Sequence, residues 1–112
     1  MIQWPDQHIA SLVDLKTVTK IADITLSTTT TTRTVPNLSG YRWLVVYARY
    51  NNSTRGSTIL PYDLFKLGYE NYGCCVMGTA TQYWNIAYVS DTQVSNWSSS
   101  SQLSSMTIYG IK

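Results

Sequence analysis

Tyr41-Arg42-Trp43-Leu44-Val45-Val46-Tyr47-Ala48-Arg49-Tyr50 is the longest run in the chain of residues that favour a strand, with neither Pro nor Gly inside it. Tyr41, Trp43, Val45, Tyr47 and Arg49 share one parity; Arg42, Leu44, Val46, Ala48 and Tyr50 share the other. The middle is apolar on both parities and a charge sits near each end. A strand reads this way when both faces are covered at its centre and its tips meet water. Ser39-Gly40 before it and Asn51 to Gly56 after it are turn chemistry. The run predicts the central strand of an all-β domain, with Trp43 in the core.

Working downstream, Ser57 to Pro61 predicts a short return strand, ended by Pro61. Asp63 to Gly68 predicts a single helical turn closed by Gly68, or a wide loop. Tyr69 to Gly73 reads as a loop carrying two tyrosines. Cys74 to Thr79 reads as a short strand with Gly78 at a bulge or close contact. Thr81 to Ser90 is the second long strand, with Gln82, Trp84, Ile86 and Tyr88 on one face. Thr92 to Trp97 gives a shorter strand, Ser98 to Ser101 an exposed loop, and Met106 to Ile111 a closing strand.

Upstream, Lys20 to Ser27 alternates, with Ala22, Ile24 and Leu26 on one face and Ile21, Asp23 and Thr25 on the other. Five threonines, Thr28 to Thr32, then predict an extended edge or a stiff loop, since polar Thr beside Arg33 discourages edge-to-edge association. Residues 1–20 differ from the rest. Asp6 is placed to cap a short helix over Gln7 to Lys16, with Ile9, Leu12 and Val13 on one side. Such a helix is marginal alone and needs a partner surface, in this domain or in other copies of the chain. The expected organisation is a stalk or neck segment, 1–20, followed by a sandwich domain, 21–112. About seven short strands at this spacing predict an antiparallel β-sandwich of Greek-key or jelly-roll type.

Composition narrows the function classes. Charged residues are 12% of the 112, against a usual value of about 25%, and the net charge is only +2. That field is too weak to imply a nucleic-acid or membrane partner, and no apolar run approaches a membrane span. Ser and Thr together make about a quarter of the chain, so solubility rests on hydroxyls and amides. His8 is the one histidine, and the two cysteines, Cys74 and Cys75, are adjacent. A protein-built metal site and a histidine-dependent triad are therefore not expected, nor any cofactor. Neighbours on a strand point to opposite faces, so both thiols are expected free. The carboxylates Asp6, Asp14, Asp23, Asp63, Glu70 and Asp91 are scattered singly, each suited to a turn or a solvated face, and a non-enzymatic protein is expected.

Binding chemistry fits better. Nine Tyr and four Trp favour rings that carry a polar handle, and several fall beside amides in expected loops. Asn51 and Arg55, Tyr69, Asn71 and Tyr72, and Trp97 form the candidate ligand-binding set. Rings stacked on a sugar face, with amides for its hydroxyls, are the chemistry of glycan recognition. Exposed aromatics also suit protein interfaces.

The last heptad, Met106-Thr107-Ile108-Tyr109-Gly110-Ile111-Lys112, ends on IYGIK after a serine-rich loop. This resembles the C-terminus of many phage and prophage tail-fibre or minor structural proteins. Residues 20–112 are similar to that group in pattern too: Leu38-Ser39-Gly40, the aromatic strand, then Ile59-Leu60-Pro61. The resemblance implies a receptor-binding tip in the virion, assembled in the host bacterial cytoplasm. It further implies a homotrimer that attaches to a bacterial surface glycan or protein. A carbohydrate-binding module of a secreted bacterial protein is the alternative, and a virion decoration domain a third.

Overall fold

The computed structural model describes residues 18–50, 53–77 and 79–112. The expected helix over Gln7 to Lys16, the turn residues Asn51 and Asn52, and Gly78 lie outside them. Eight strands form the described chain: β1 (Val18–Thr25), β2 (Thr31–Thr34), β3 (Trp43–Tyr50), β4 (Ser53–Pro61), β5 (Asn71–Met77), β6 (Ala80–Ser90), β7 (Gln93–Ser98) and β8 (Ser105–Ile111), with one helical turn, α1 (Tyr62–Phe65), between β4 and β5. They make two antiparallel four-stranded sheets, ordered β1-β8-β3-β4 and β2-β7-β6-β5. The expected all-β sandwich is what forms. Val18 to Lys20 belong to β1, so the sandwich begins before the expected boundary at residue 21.

The aromatic run is interior to the first sheet, paired with β4 on one side and β8 on the other. Among the described residues, only one of its faces is covered. Leu44, Val46 and Ala48 are fully buried between the sheets, whereas Val45 and Tyr47 are half-buried and Trp43 is 40% exposed on the outer face. The expectation of a core Trp43 is corrected: an antiparallel sheet needs only one packed face. Trp84 is 0% exposed at the centre of β6, as its place in the second long strand predicts. It belongs to one core with Leu38, Leu44, Phe65, Ile86, Leu103, Met106 and Ile108, the other large apolar side chains that are fully buried.

Local irregularities redirect several side chains. A bulge between Lys20 and Ala22 turns Ile21 into the core, away from the face that simple alternation assigns it. Thr31 to Thr34 form an edge strand, as the threonine run predicts, while Thr28 to Thr30 stay in the connecting loop. Ser98 is not in the exposed loop. It is the last residue of β7, is fully buried, and donates its hydroxyl to the Ser100 carbonyl at 3.0 Å. Gly68 follows α1 with φ 86° and donates its N–H to the Phe65 carbonyl at 3.0 Å, closing the turn.

Candidate functional site

The register of the second sheet brings together three side chains from three strands. Tyr72 on β5 is directly opposite Asn85 on β6, and Asn85 is directly opposite Trp97 on β7. All three share the parity that faces away from the core, since Gly73, Trp84, Ile86, Asn96 and Ser98 point inward. An amide thus stands between two aromatic rings whose strands are ~10 Å apart. Tyr72 is 57% exposed, Trp97 half-buried and Asn85 nearly covered between them. Tyr83, two residues along β6, adds a third exposed ring to the same face.

Neighbouring groups steady two of these rings. The Trp97 indole N–H donates to the Thr28 carbonyl at 2.9 Å, so the threonine loop fixes its orientation. The Tyr72 hydroxyl donates to Glu70 Oε2 at 2.8 Å. The Tyr83 backbone N–H donates to Ser99 Oγ, which in turn donates to Gln82 Oε1. Hydroxyls, a carboxylate and amides surround a shallow aromatic surface, which suits the hydroxyls and apolar faces of a sugar.

The other candidate residues do not join this group. Asn71 and Tyr72, expected in a loop, are in β5, and alternation sends Asn71 inward, where its amide donates to the Tyr69 carbonyl at 3.0 Å. Tyr69 is 75% exposed in the connection that leads from α1 into β5. Arg55 is a β4 residue, not a turn residue, and its guanidinium lies 5.9 Å from the Tyr50 ring. It sits where β4 approaches β5, near Cys75, and not on the outer face of the second sheet. Asn51 lies outside the described residues. Asn85 and Tyr83 were missed by sequence reasoning. Their shared parity is visible in β6, but nothing local shows which strands flank it.

A second cluster joins the connections at one end of the sandwich. Asp91 Oδ1 accepts hydrogen bonds from the Tyr62 and Tyr88 hydroxyls, the latter at 2.8 Å. These two bonds, Tyr62 first, hold the Asp91 carboxyl below the usual carboxylate range. The same carboxylate raises the Tyr62 hydroxyl, and likewise that of Tyr88. The group ties α1 to the β6–β7 turn and is structural in character. Among the described residues, no three His, Cys, Asp or Glu side chains gather to hold a metal ion. Cys74 and Cys75 are both free and on opposite faces, Cys74 exposed and Cys75 packed against the core, where burial pushes its thiol up.

The outer face of the first sheet is apolar at one end and charged at the other, where Asp23 pairs with Lys20 and Arg49 and accepts a hydrogen bond from the Thr107 hydroxyl. Val18, Val45, Tyr47, Ile59, Tyr109 and Ile111 line a groove of about 440 Å³ at the apolar end. Tyr47 and Tyr109 meet edge to face with centroids 5.8 Å apart. The fold and these surfaces define a β-sandwich with a polar aromatic face on one side and an apolar groove on the other. Comparison of the chain with protein-family models, with curated proteins and with solved structures gives no match, so its function is argued from the geometry.

Proposed function

We propose that the chain is a non-enzymatic receptor-binding tip of a phage tail fibre. In this reading it attaches the particle, as a homotrimer, to a glycan on the bacterial surface. The observation that supports it most is the Tyr72–Asn85–Trp97 row, which places two rings and an amide on one open sheet face. Ring faces cover the apolar side of a pyranose, while the exposed Tyr72 hydroxyl, Glu70 carboxylate and Ser99 hydroxyl beside them suit its polar edge. The ending IYGIK and the sandwich architecture agree with such a tip.

The test is attachment to host cells and to their isolated surface polysaccharide. Tyr72→Ala and Trp97→Ala should each weaken binding tenfold or more, and Arg55→Ala should leave it unchanged. Retained binding in both row variants would remove this surface from the function. A monomer in solution that still binds glycan through the row would instead favour a carbohydrate-binding module.

A further inference from the structure

We propose that a pocket at one end of the sandwich binds a small hydroxylated acid, with Arg42 and Lys112 on its carboxylate or phosphate group. This goes beyond the glycan-binding reading and does not depend on it. The pocket has a volume of about 380 Å³, within the range of ~300–1,000 Å³ usual for small-molecule sites. Residues 39–42, the first two residues of α1 and the residue that follows β8 form its walls. Among the described residues, no strand of the second sheet lines it.

Charge points to the occupant. Arg42 and Lys112 bring two cations to one concavity, against a single carboxylate side chain, that of Asp63. Among the described residues, the ion pairs are those of Asp23 with Lys20 and Arg49, so no carboxylate side chain there neutralises Arg42 or Lys112. Two like charges at one pocket repel, and an anion between them relieves that repulsion. The guanidinium fork takes a carboxylate or phosphate through two parallel hydrogen bonds, and the ammonium adds a point charge. Backbone bonds hold these groups in place. Arg42 donates its N–H to the carbonyl of Ile111, next to Lys112, at 2.8 Å. Its own carbonyl accepts from the N–H of Tyr62, next to Asp63, at 2.9 Å. One residue thus ties together the three segments that carry the charges. The Tyr41 ring lies over Gly110, where a Cβ would collide with it, and the Tyr62 hydroxyl is bonded to Asp91. Both rings are fixed walls, so binding has little ordering left to bring about. Asp63 and the Ser39 hydroxyl are the remaining polar side chains. A carboxylate accepts from hydroxyls and repels a second acid, so the ligand carries one acid group on a hydroxyl-bearing body.

Titration calorimetry of the full chain tests this, at low ionic strength, where exposed charges are least screened. The probes are glucuronate, glycerol phosphate and, as the neutral counterpart, glucose. At least one of the two acids should bind at millimolar concentration, tenfold or more tightly than glucose. The tighter of the two tells whether carboxylate or phosphate is the preferred group. Arg42→Gln and Lys112→Gln should each weaken that binding fivefold or more. Arg55→Gln, Tyr72→Ala and Trp97→Ala should leave it unchanged. Arg42 and Lys112 are exposed, so their replacement leaves the sandwich folded, and a melting curve for each variant confirms this. The proposal is overturned by glucose binding as tightly as the acids, by neither acid binding, or by binding unmoved in both Arg42→Gln and Lys112→Gln. Loss of acid binding in Tyr72→Ala or Trp97→Ala would overturn it too, by moving the acid to the aromatic row.

Discussion

The indole of Trp84 covers the Cα of Gly73: a Cβ built on Gly73 would stand 2.1 Å from the Trp84 Cζ2 atom. The two residues are directly opposite on β6 and β5. From the other sheet, Gly56 on β4 closes over the same ring, its hypothetical Cβ 3.1 Å from Trp84 Nε1. One large side chain thus fills the seam where the two sheets approach, and two glycines make room for it. Gly73→Val should displace the ring and lower the melting temperature sharply. Trp84→Ala should cost roughly 3–5 kcal/mol by denaturant titration. If Gly73→Val melts with the parent, the ring is not held against that strand.

Trp97 is less peripheral than a loop residue. Its indole N–H is bonded to Thr28, so Trp97→Ala should cost ~1–2 kcal/mol of stability from the lost bond and partial burial. Tyr72→Ala, at an exposed site, should change stability by less than ~0.5 kcal/mol. Paired melting curves check both values. A Trp97→Ala variant as stable as the parent would show that the Thr28 bond contributes nothing.

Acid should loosen the end of the sandwich held by Asp91. The carboxyl ionises more readily in the folded protein than in the unfolded chain. Its contribution is therefore complete above the ordinary carboxylate pKa of ~4 and fades as pH falls through the lower folded value. Tyr62 and Tyr88 shift the other way. Their contribution is complete below the ordinary tyrosine pKa of ~10 and fades as pH rises through the higher folded value. Melting temperature should hold a plateau between these limits. Asp91→Asn should flatten both limbs, leaving on the acid side the part due to Asp23. That carboxyl is held low by Lys20 and by the Thr107 hydroxyl at 2.7 Å. Limbs unchanged by Asp91→Asn would exclude this cluster as their source.

Asn96 is 0% exposed in the core, and neither Nδ2 nor Oδ1 has a partner among the described residues. A buried amide without partners is destabilising by about 1–3 kcal/mol relative to a paired one. Asn96→Leu, of similar shape, should therefore raise stability in urea titration. A loss instead would mean that a buried water bridges the amide and is expelled by the substitution.

How much of this was legible beforehand differs by element. The strand character of Tyr41–Tyr50 and Thr81–Ser90, the edge character of the threonine run and the burial of Trp84 follow from side-chain type and period alone. So does the placement of Cys74 and Cys75 on opposite faces. These depend on backbone alternation, which each residue carries locally. The outward turn of Trp43, the inward turn of Ile21 and the capture of Ser98 at the end of β7 do not. They depend on which face a second sheet covers, on a bulge, and on where a loop carbonyl falls.

The candidate site divides in the same way. Composition marked Tyr72 and Trp97 as exposed rings with polar surroundings. Their meeting across Asn85 comes from pairings of β6 with β5 on one side and with β7 on the other. Tyr72 and Trp97 are far apart in the chain, and the order of strands in a sheet is set by the burial of the whole core. Sequence by itself determined the sandwich class and which faces of most strands are apolar, because those are properties of single strands. Only the tertiary structure decided that Arg55 lies in the β4–β5 seam, Asn71 points inward, and Tyr72, Asn85 and Trp97 form one row. Adjacency between strands is a cooperative result of packing, and no single stretch of chain encodes it.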